Sequence, residues 1–125
     1  KAADGRHPLF VPCNSTGYLW DTQHIGTGKL ILVEGPFDAI KVHEAGFLCA
    51  ALGGTNLPKY LLPDLIELAG NAPVVVCLDS DALAQSIGLV RRLQPFLSGE
   101  VRNVVLPPGQ DPGSMSLSEI REVLA

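Results

Sequence analysis

Cysteine is scarce: Cys13, Cys49 and Cys77 are the only three in 125 residues. Odd in number and far apart, they exclude a disulfide framework and a cysteine-based zinc site. Cys49 and Cys77 lie in apolar runs and are expected as buried free thiols, which suits a reducing cytoplasm. Also missing is any apolar stretch near the ~20 residues a membrane-spanning helix needs. No membrane attachment is expected, and no basic start leading into an apolar run marks a signal peptide. Basic residues are few: nine Lys and Arg stand against thirteen Asp and Glu, for a net charge of −4. A basic nucleic-acid-binding domain is not what that balance predicts. Internal repeats and low-complexity segments are absent too.

What is present is the makeup of an ordinary globular domain, with 46% hydrophobic and 18% charged residues. The length predicts one domain, long enough to bury a core without staples. The chain starts at Lys1 rather than Met, as an excised part of a longer protein would.

Residues 1–28 differ from the rest. They hold an apolar patch from Pro8 to Val11, turn formers from Asn14 to Gly17, then Tyr18-Leu19-Trp20, and close on Gly26-Thr27-Gly28. This segment reads as one or two short strands and a connector. From Lys29 the pattern is regular. Leu30–Val33 is a continuous apolar run, as in a strand buried on both faces. Pro36 opens a helix with Phe37, Ile40 and Val42 to Ala45 as apolar positions, and Gly46 stops it. Leu48–Leu52 is a second strand, and Gly53-Gly54-Thr55-Asn56 a loop. Pro58 begins a helix on Leu61, Leu62, Leu65, Ile66 and Leu68, with Pro63 imposing a kink or a later start. Val74–Leu78 is the clearest buried strand. Leu83, Ile87, Val90, Leu93 and Leu97 follow at helical spacing. Val101–Leu106 is a fourth strand, and Ser116 with Glu119 forms a capping box before a last helix. The order β-α-β-α-β-α-β-α predicts an α/β fold with a parallel sheet covered by helices on both faces.

Ligands of open parallel sheets bind beyond the carboxyl ends of the strands, and there the acids gather. The first strand ends at Glu34, with Asp38 one helical turn on. The third ends at Asp79-Ser80-Asp81, and the loop after the fourth carries Asp111. A lone acid after a strand is usually a turn residue or a helix cap. So many, each at a strand's carboxyl end, are hard to explain as turns, and if the first and third strands are neighbours Glu34, Asp79 and Asp81 converge on one crevice. Oxygen ligands without His or Cys suit Mg²⁺ or Mn²⁺, which are completed by phosphate oxygens and water. The chemistry such a cluster serves is metal-assisted attack at phosphorus, with one or two ions. Other candidates fare worse. His7, His24 and His43 match no ligand spacing. Gly26-Thr27-Gly28-Lys29 precedes a strand, the wrong context for a phosphate-binding loop. Arg91-Arg92 reads as a solvated helix face.

The stretch Leu30-Ile-Leu-Val-Glu-Gly-Pro-Phe-Asp-Ala-Ile40, followed by Cys77-Leu-Asp-Ser-Asp81, resembles the TOPRIM domain shared by primases and topoisomerases. Ala51-Leu-Gly-Gly-Thr-Asn-Leu57, Leu106-Pro-Pro-Gly-Gln-Asp-Pro112 and the Tyr18-Leu19-Trp20 approach resemble the DnaG-type primases of bacteria and phages. The resemblance implies a compact Rossmann-like TOPRIM fold of about four parallel strands over residues 29–125. Residues 1–28 would be a connector from a preceding primase subdomain. It implies that Glu34 is a general base or acid at a 3′-hydroxyl, or else a metal ligand. Asp79 and Asp81 would hold Mg²⁺ or Mn²⁺, with Asp38 and Asp111 as accessory acids, Asp111 also as a ligand and Asp38 within the catalytic group. The implied function is Mg-dependent nucleotidyl transfer in RNA primer synthesis. The implied partners are a DNA template, nucleoside triphosphates and a replicative helicase, in a bacterial, phage- or plasmid-encoded cytoplasmic protein.

The match departs from the family in places. Asp111-Pro112-Gly113 stands where primases commonly have Asp-Pro-Asp, Ala82-Leu83-Ala84 follows the Asp-x-Asp, and Gln110 replaces a familiar Lys. With so few basic residues, the domain is expected to make no primer alone. The rival readings are a metal-dependent TOPRIM nuclease and a non-catalytic recombination-repair TOPRIM module. A topoisomerase lacks its tyrosine context here, and a dehalogenase-like phosphatase wants its Asp-x-Asp near the first strand. Five of the thirteen acids belong to the expected pocket, so the remaining eight face nine bases. The acidity is concentrated in one place.

Overall fold

The chain is described here from a computed structural model covering residues 9–12 and 28–125. The expectations for Cys13, the Asn14–Gly17 turn, Tyr18-Leu19-Trp20, Gly26-Thr27, His7 and His24 fall outside those residues. Four strands alternate with four helices: β1 (Leu30–Val33), α1 (Pro36–Glu44), β2 (Leu48–Ala51), α2 (Leu62–Ala69), β3 (Val74–Val76), α3 (Leu83–Leu93), β4 (Val101–Asn103) and α4 (Leu117–Leu124). The strands form one sheet in the order β2-β1-β3-β4, every pair parallel.

Strand residues point alternately to opposite faces, and the two sets meet different helices. Leu30, Leu32, Val74 and Val76 pack with Leu65 and Ala69 of α2 and Leu89 and Leu93 of α3. Ile31, Val33, Val75 and Cys77 pack with Ala39 and Val42 of α1 and Ile120 and Leu124 of α4. Every residue of β1, β2 and β3 is buried, as unbroken apolar runs require in a sheet covered on both sides. Cys49 and Cys77 are buried free thiols, and burial pushes both up to about 12.

Strand ends and helix phases depart from expectation for local reasons. β3 stops at Val76, although the Cys77 N–H still reaches the Leu32 carbonyl at 2.8 Å. β4 stops at Asn103, although the Val104 N–H still reaches the Val76 carbonyl at 2.9 Å, and Val105 is 61% exposed. Phe37 is not a core residue: it is 83% exposed. The inward stripe of α1 is Asp38, Ala39 and Val42, and Phe37 sits about 100° of helix rotation from Asp38. α3 is turned likewise. Leu83 and Ile87 are 44% and 40% exposed, while Ser86, Leu89 and Leu93 face in. The buried Ser86 hydroxyl is satisfied by donating to the Leu83 carbonyl at 2.9 Å. Pro63 gives a later start: a short 3-10 turn at Lys59–Leu61 precedes α2, with Pro63 in its first turn.

The apolar patch near the N-terminus adds to the sheet edge. Phe10 bridges Ala51 in antiparallel fashion through N–H···O bonds of 3.2 and 2.8 Å. The capping box of α4 forms as read. The Ser116 hydroxyl accepts the Glu119 N–H at 3.1 Å, and Glu119 accepts the Ser116 N–H at 2.9 Å. Ser116→Ala is expected to cost about 1 kcal/mol, read as a lower urea midpoint with an unchanged slope.

Candidate metal centre

The strand order makes the site. β1 and β3 are neighbours, yet the helix leaving β1 covers one face and the helix leaving β3 covers the other. Where connections diverge in this way a crevice opens beyond the strands' carboxyl ends. Glu34 follows β1 directly, and Asp79 follows β3 by two buried residues, so both carboxylates enter that crevice. The Asp79 N–H donates to Glu34 Oε1 at 3.3 Å, closing the gap between the two strand ends.

Three flanking segments set the rest. The Gly53 N–H donates to the Glu34 carbonyl at 2.8 Å, and Gly53 holds a φ of 81° that suits glycine. The loop that follows is held from α3, where the Arg92 guanidinium donates to the Leu57 carbonyl and to Asn56 Oδ1. Arg92 is therefore not the free solvated residue expected; its neighbour Arg91 is exposed. On the other side, the Ser80 N–H donates to the Gln110 carbonyl at 3.1 Å, and Ser80 Oγ accepts the Gly109 N–H at 2.9 Å. These two bonds carry the β4–α4 loop, and Asp111 with it, against the Asp79–Asp81 turn.

Two overlapping groups of oxygens result among the described residues. Glu34, Asp79 and Asp81 each offer a carboxylate oxygen, all within 4.8 Å of one another, and so do Asp38, Asp79 and Asp111. All five acids singled out in the sequence thus converge, with Asp79 common to both groups. Repulsion and burial are visible in their proton affinities. Burial, then the charges of Glu34, Asp38, Asp111 and Asp81, push Asp79 up to about 6. Burial also raises Glu34, against the Asp79 N–H and reinforced by its acidic neighbours. Asp38 is raised by burial, opposed by the N–H groups of Gly113 and Gly35. Asp79 Oδ1 is buried without a hydrogen-bond partner. A buried orphan oxygen among oxygen-only donors fits a hard divalent cation, which would satisfy it and relieve the repulsion together.

Residues 31–115 match the family of Toprim-like proteins. The chain belongs to that family. This Toprim-like chain is 34% identical over 88 residues to the DNA primase of Rickettsia bellii, a stretch covering 66% of this chain and 14% of that protein. It is 37% identical over 87 residues to the DNA primase of Rickettsia felis, with the same coverage of 66% and 14%. The matched stretch is thus a small part of these curated relatives. Among solved structures, the fold resembles the RNA polymerase domain of Mycobacterium tuberculosis primase DnaG, with a TM-score of 0.65 and 21% identity over 82% of this chain and 37% of that one. It also resembles the Aquifex aeolicus primase zinc-binding and RNA polymerase domains, with a TM-score of 0.61 and 26% identity over 82% and 27%.

Within the Toprim-like frame, three contributors to the site escaped the sequence reading. Ser80 carried no expectation, and nothing in its neighbours signals its link to Gly109. Arg92 looked like one of a solvated pair. Gly113 registered only as a missing acid, although its N–H reaches Asp38 Oδ1 at 2.9 Å. A glycine where a side chain was expected is the one signal that pointed there.

Proposed function

We propose that this Toprim-like chain is the metal-dependent catalytic module of a DnaG-type primase, serving nucleotidyl transfer in RNA primer synthesis on a DNA template. The observation that carries the reading is the meeting of Glu34, Asp79 and Asp81 at the divergence of β1 and β3. The primase relatives at 34–37% identity support it. Glu34, Asp79 and Asp81 would hold Mg²⁺ or Mn²⁺, which when bound supplies positive charge to the transferring phosphoryl group. The chain's own residues do the rest. The Asp79 N–H fixes Glu34, whose raised proton affinity suits it to take a proton from an attacking hydroxyl. Asp111, carried by the loop tied to Ser80, borders the same crevice.

Alone, the chain is expected to make no primer. Lys29, Arg92 and Arg121 donate to the carbonyls of Leu124, Leu57 and Ala45, so three of its nine bases serve the fold. Template, nucleoside triphosphates and a helicase would be gripped elsewhere in a parent protein of which residues 29–125 are one domain and 1–28 the connector.

The test has two arms. Titrating Mn²⁺ into the wild type and into Asp79→Ala/Asp81→Ala should show binding in the first and none in the second; equal binding would sink the site. In the parent protein, with single-stranded DNA and nucleoside triphosphates, Glu34→Gln should abolish RNA oligomers, and the isolated chain should make none. Metal-dependent nicking without use of nucleoside triphosphates would replace the primase reading by a nuclease.

A further inference from the structure

We propose that the outer edge of β4 is a dimerisation surface, on which a second copy of this chain pairs antiparallel about a two-fold axis at Asn103. The pairing would join two four-stranded sheets into one.

The backbone at that edge is open. β4 pairs with β3 on one side only. Toward β3 it turns the peptide groups of Glu100 and Val104: the Glu100 carbonyl accepts the Val74 N–H, and the Val104 N–H donates to the Val76 carbonyl. Peptide groups alternate in direction along a strand, so those of Val101, Asn103 and Val105 face outward. Such an edge is a template for another strand, and charge or proline normally blunts it. The three residues here are Val, Asn and Val.

The side chains around the edge also lack a neighbour. Val101 packs with Leu89 and Leu93 of α3, and alternation puts Asn103 and Val105 on that same face. Val105 and Leu83 line one shallow depression, and Ile87 continues the Leu83 stripe one turn along α3. All three are exposed. Asn103 Oδ1 is buried there without a hydrogen-bond partner. One added strand would pair the open amides, cover the apolar stripe and satisfy the orphan oxygen.

Closure and register select the occupant. The other edge of the sheet is taken at Ala51 by Phe10, which obstructs a filament built by adding β4 of one copy to β2 of the next. What remains is β4 on β4, an isologous contact that closes as a dimer. Three antiparallel registers set two or more of the outward residues against one another. Centring on Arg102 places two guanidinium groups directly opposite, which destabilises. Centring on Val104 places Val101 against Pro107 of the second copy, which has no N–H to give. Centring on Asn103 avoids both. Val101 then faces Val105 of the second copy, and the two Asn103 amides face each other, donor to acceptor. Both α3 helices lie on the same side of the joined sheet, so Leu83 and Ile87 meet their counterparts across the axis. The carboxyl ends of the strands point in opposite directions, and both acidic crevices stay open.

Sedimentation equilibrium of the 125-residue chain tests this. A dimer is expected at ~100 µM that dissociates on dilution to ~1 µM, as for an interface of modest area. Val105→Lys adds a charge at an exposed position. It should leave a monomer at both concentrations, with an unchanged melting temperature once the wild type is dilute. Ile40→Lys, the same change of charge on the exposed side of α1, should stay dimeric. Hydrogen exchange reports the edge itself. In concentrated protein the Asn103 amide should exchange several-fold more slowly in the wild type than in Val105→Lys. The Val104 amide, bonded to Val76, should be protected equally in both. A wild type that stays monomeric at ~100 µM would overturn the proposal. So would a dimer that survives Val105→Lys, or one that Ile40→Lys also breaks. Slow Asn103 exchange in a monomer would overturn it too, since another segment of the same chain would then hold the edge.

Discussion

At pH 7, Asp79→Asn will be more stable than the wild type without divalent metal and less stable than the wild type with it. The first half follows from proton linkage. Asp79 is held up at about 6 by burial and by Glu34, against an ordinary value of 3.8. Between about pH 4 and pH 6 the folded chain therefore keeps a proton that the unfolded chain has lost. Stability from this group is fully present below pH 4, falls as pH rises through about 6, and is gone at pH 7. Glu34 and Asp38 are raised as well and act in the same direction. A shift of this size between buried states corresponds to ~3 kcal/mol. Partial solvent access at Asp79 screens it, and an effect on the order of 1 kcal/mol is expected. Thermal unfolding in EDTA should thus show the wild type losing stability between pH 4 and pH 7, with most of the loss absent in Asp79→Asn. The second half follows from binding. A cation at a hundredfold excess over its Kd adds about 2.7 kcal/mol to the folded wild type. Asp79→Asn removes the acid common to both candidate groups, so its melting temperature should not respond to Mg²⁺. The two curves must cross as metal is added. Parallel responses to Mg²⁺ would mean that Asp79 bears no relation to a cation.

This opposition explains why the acids were legible in the sequence when much of the packing was not. Five carboxylates gathered at one end of the sheet conflict with stability, and that conflict stands out against an ordinary composition. Strands β1 and β3 were equally legible, because a parallel sheet buried on both faces leaves unbroken runs of Leu, Ile and Val. Helix phase was harder. Leu83, Ile87 and Val90 repeat at helical spacing, but so do Ala82, Ser86, Leu89 and Leu93, and the sheet buries the second set. A serine on that stripe hides the pattern, since its hydroxyl is satisfied within the helix by the Leu83 carbonyl. Phe37 misleads in the same way, because Asp38 takes the inward position for its bonds to Gly35 and Gly113. Gly113 lies 75 residues from Asp38 in the chain, and spacing along a sequence carries no trace of that bond.

Gly99→Ala is expected to destabilise the chain by about 3 kcal/mol, as severe overpacking does. A Cβ at Gly99 would lie 2.3 Å from the Ala72 carbonyl oxygen, 2.7 Å from its carbon and 2.9 Å from the Asn71 oxygen. All three are backbone atoms, so no side-chain rotation relieves the clash. The two segments that must part are the entries to β3 and β4. They are joined there by the Val74 N–H bond to the Glu100 carbonyl at 2.7 Å, and the Pro73 carbonyl accepts the Leu30 N–H at 2.9 Å. The control is Gly88→Ala on the exposed side of α3, where an added Cβ meets nothing within 4 Å. There the helix should gain up to about 1 kcal/mol. Urea unfolding should therefore move the two midpoints in opposite directions, and a Gly99→Ala midpoint at or above the wild-type value would show that the close approach carries no weight. The site should register the same change. β3 delivers Asp79 to the crevice, and its pairing with β1 sets the distance to Glu34. A displaced β3 entry should weaken Mn²⁺ binding in Gly99→Ala, while Gly88→Ala, whose added Cβ meets nothing within 4 Å, leaves it as it was.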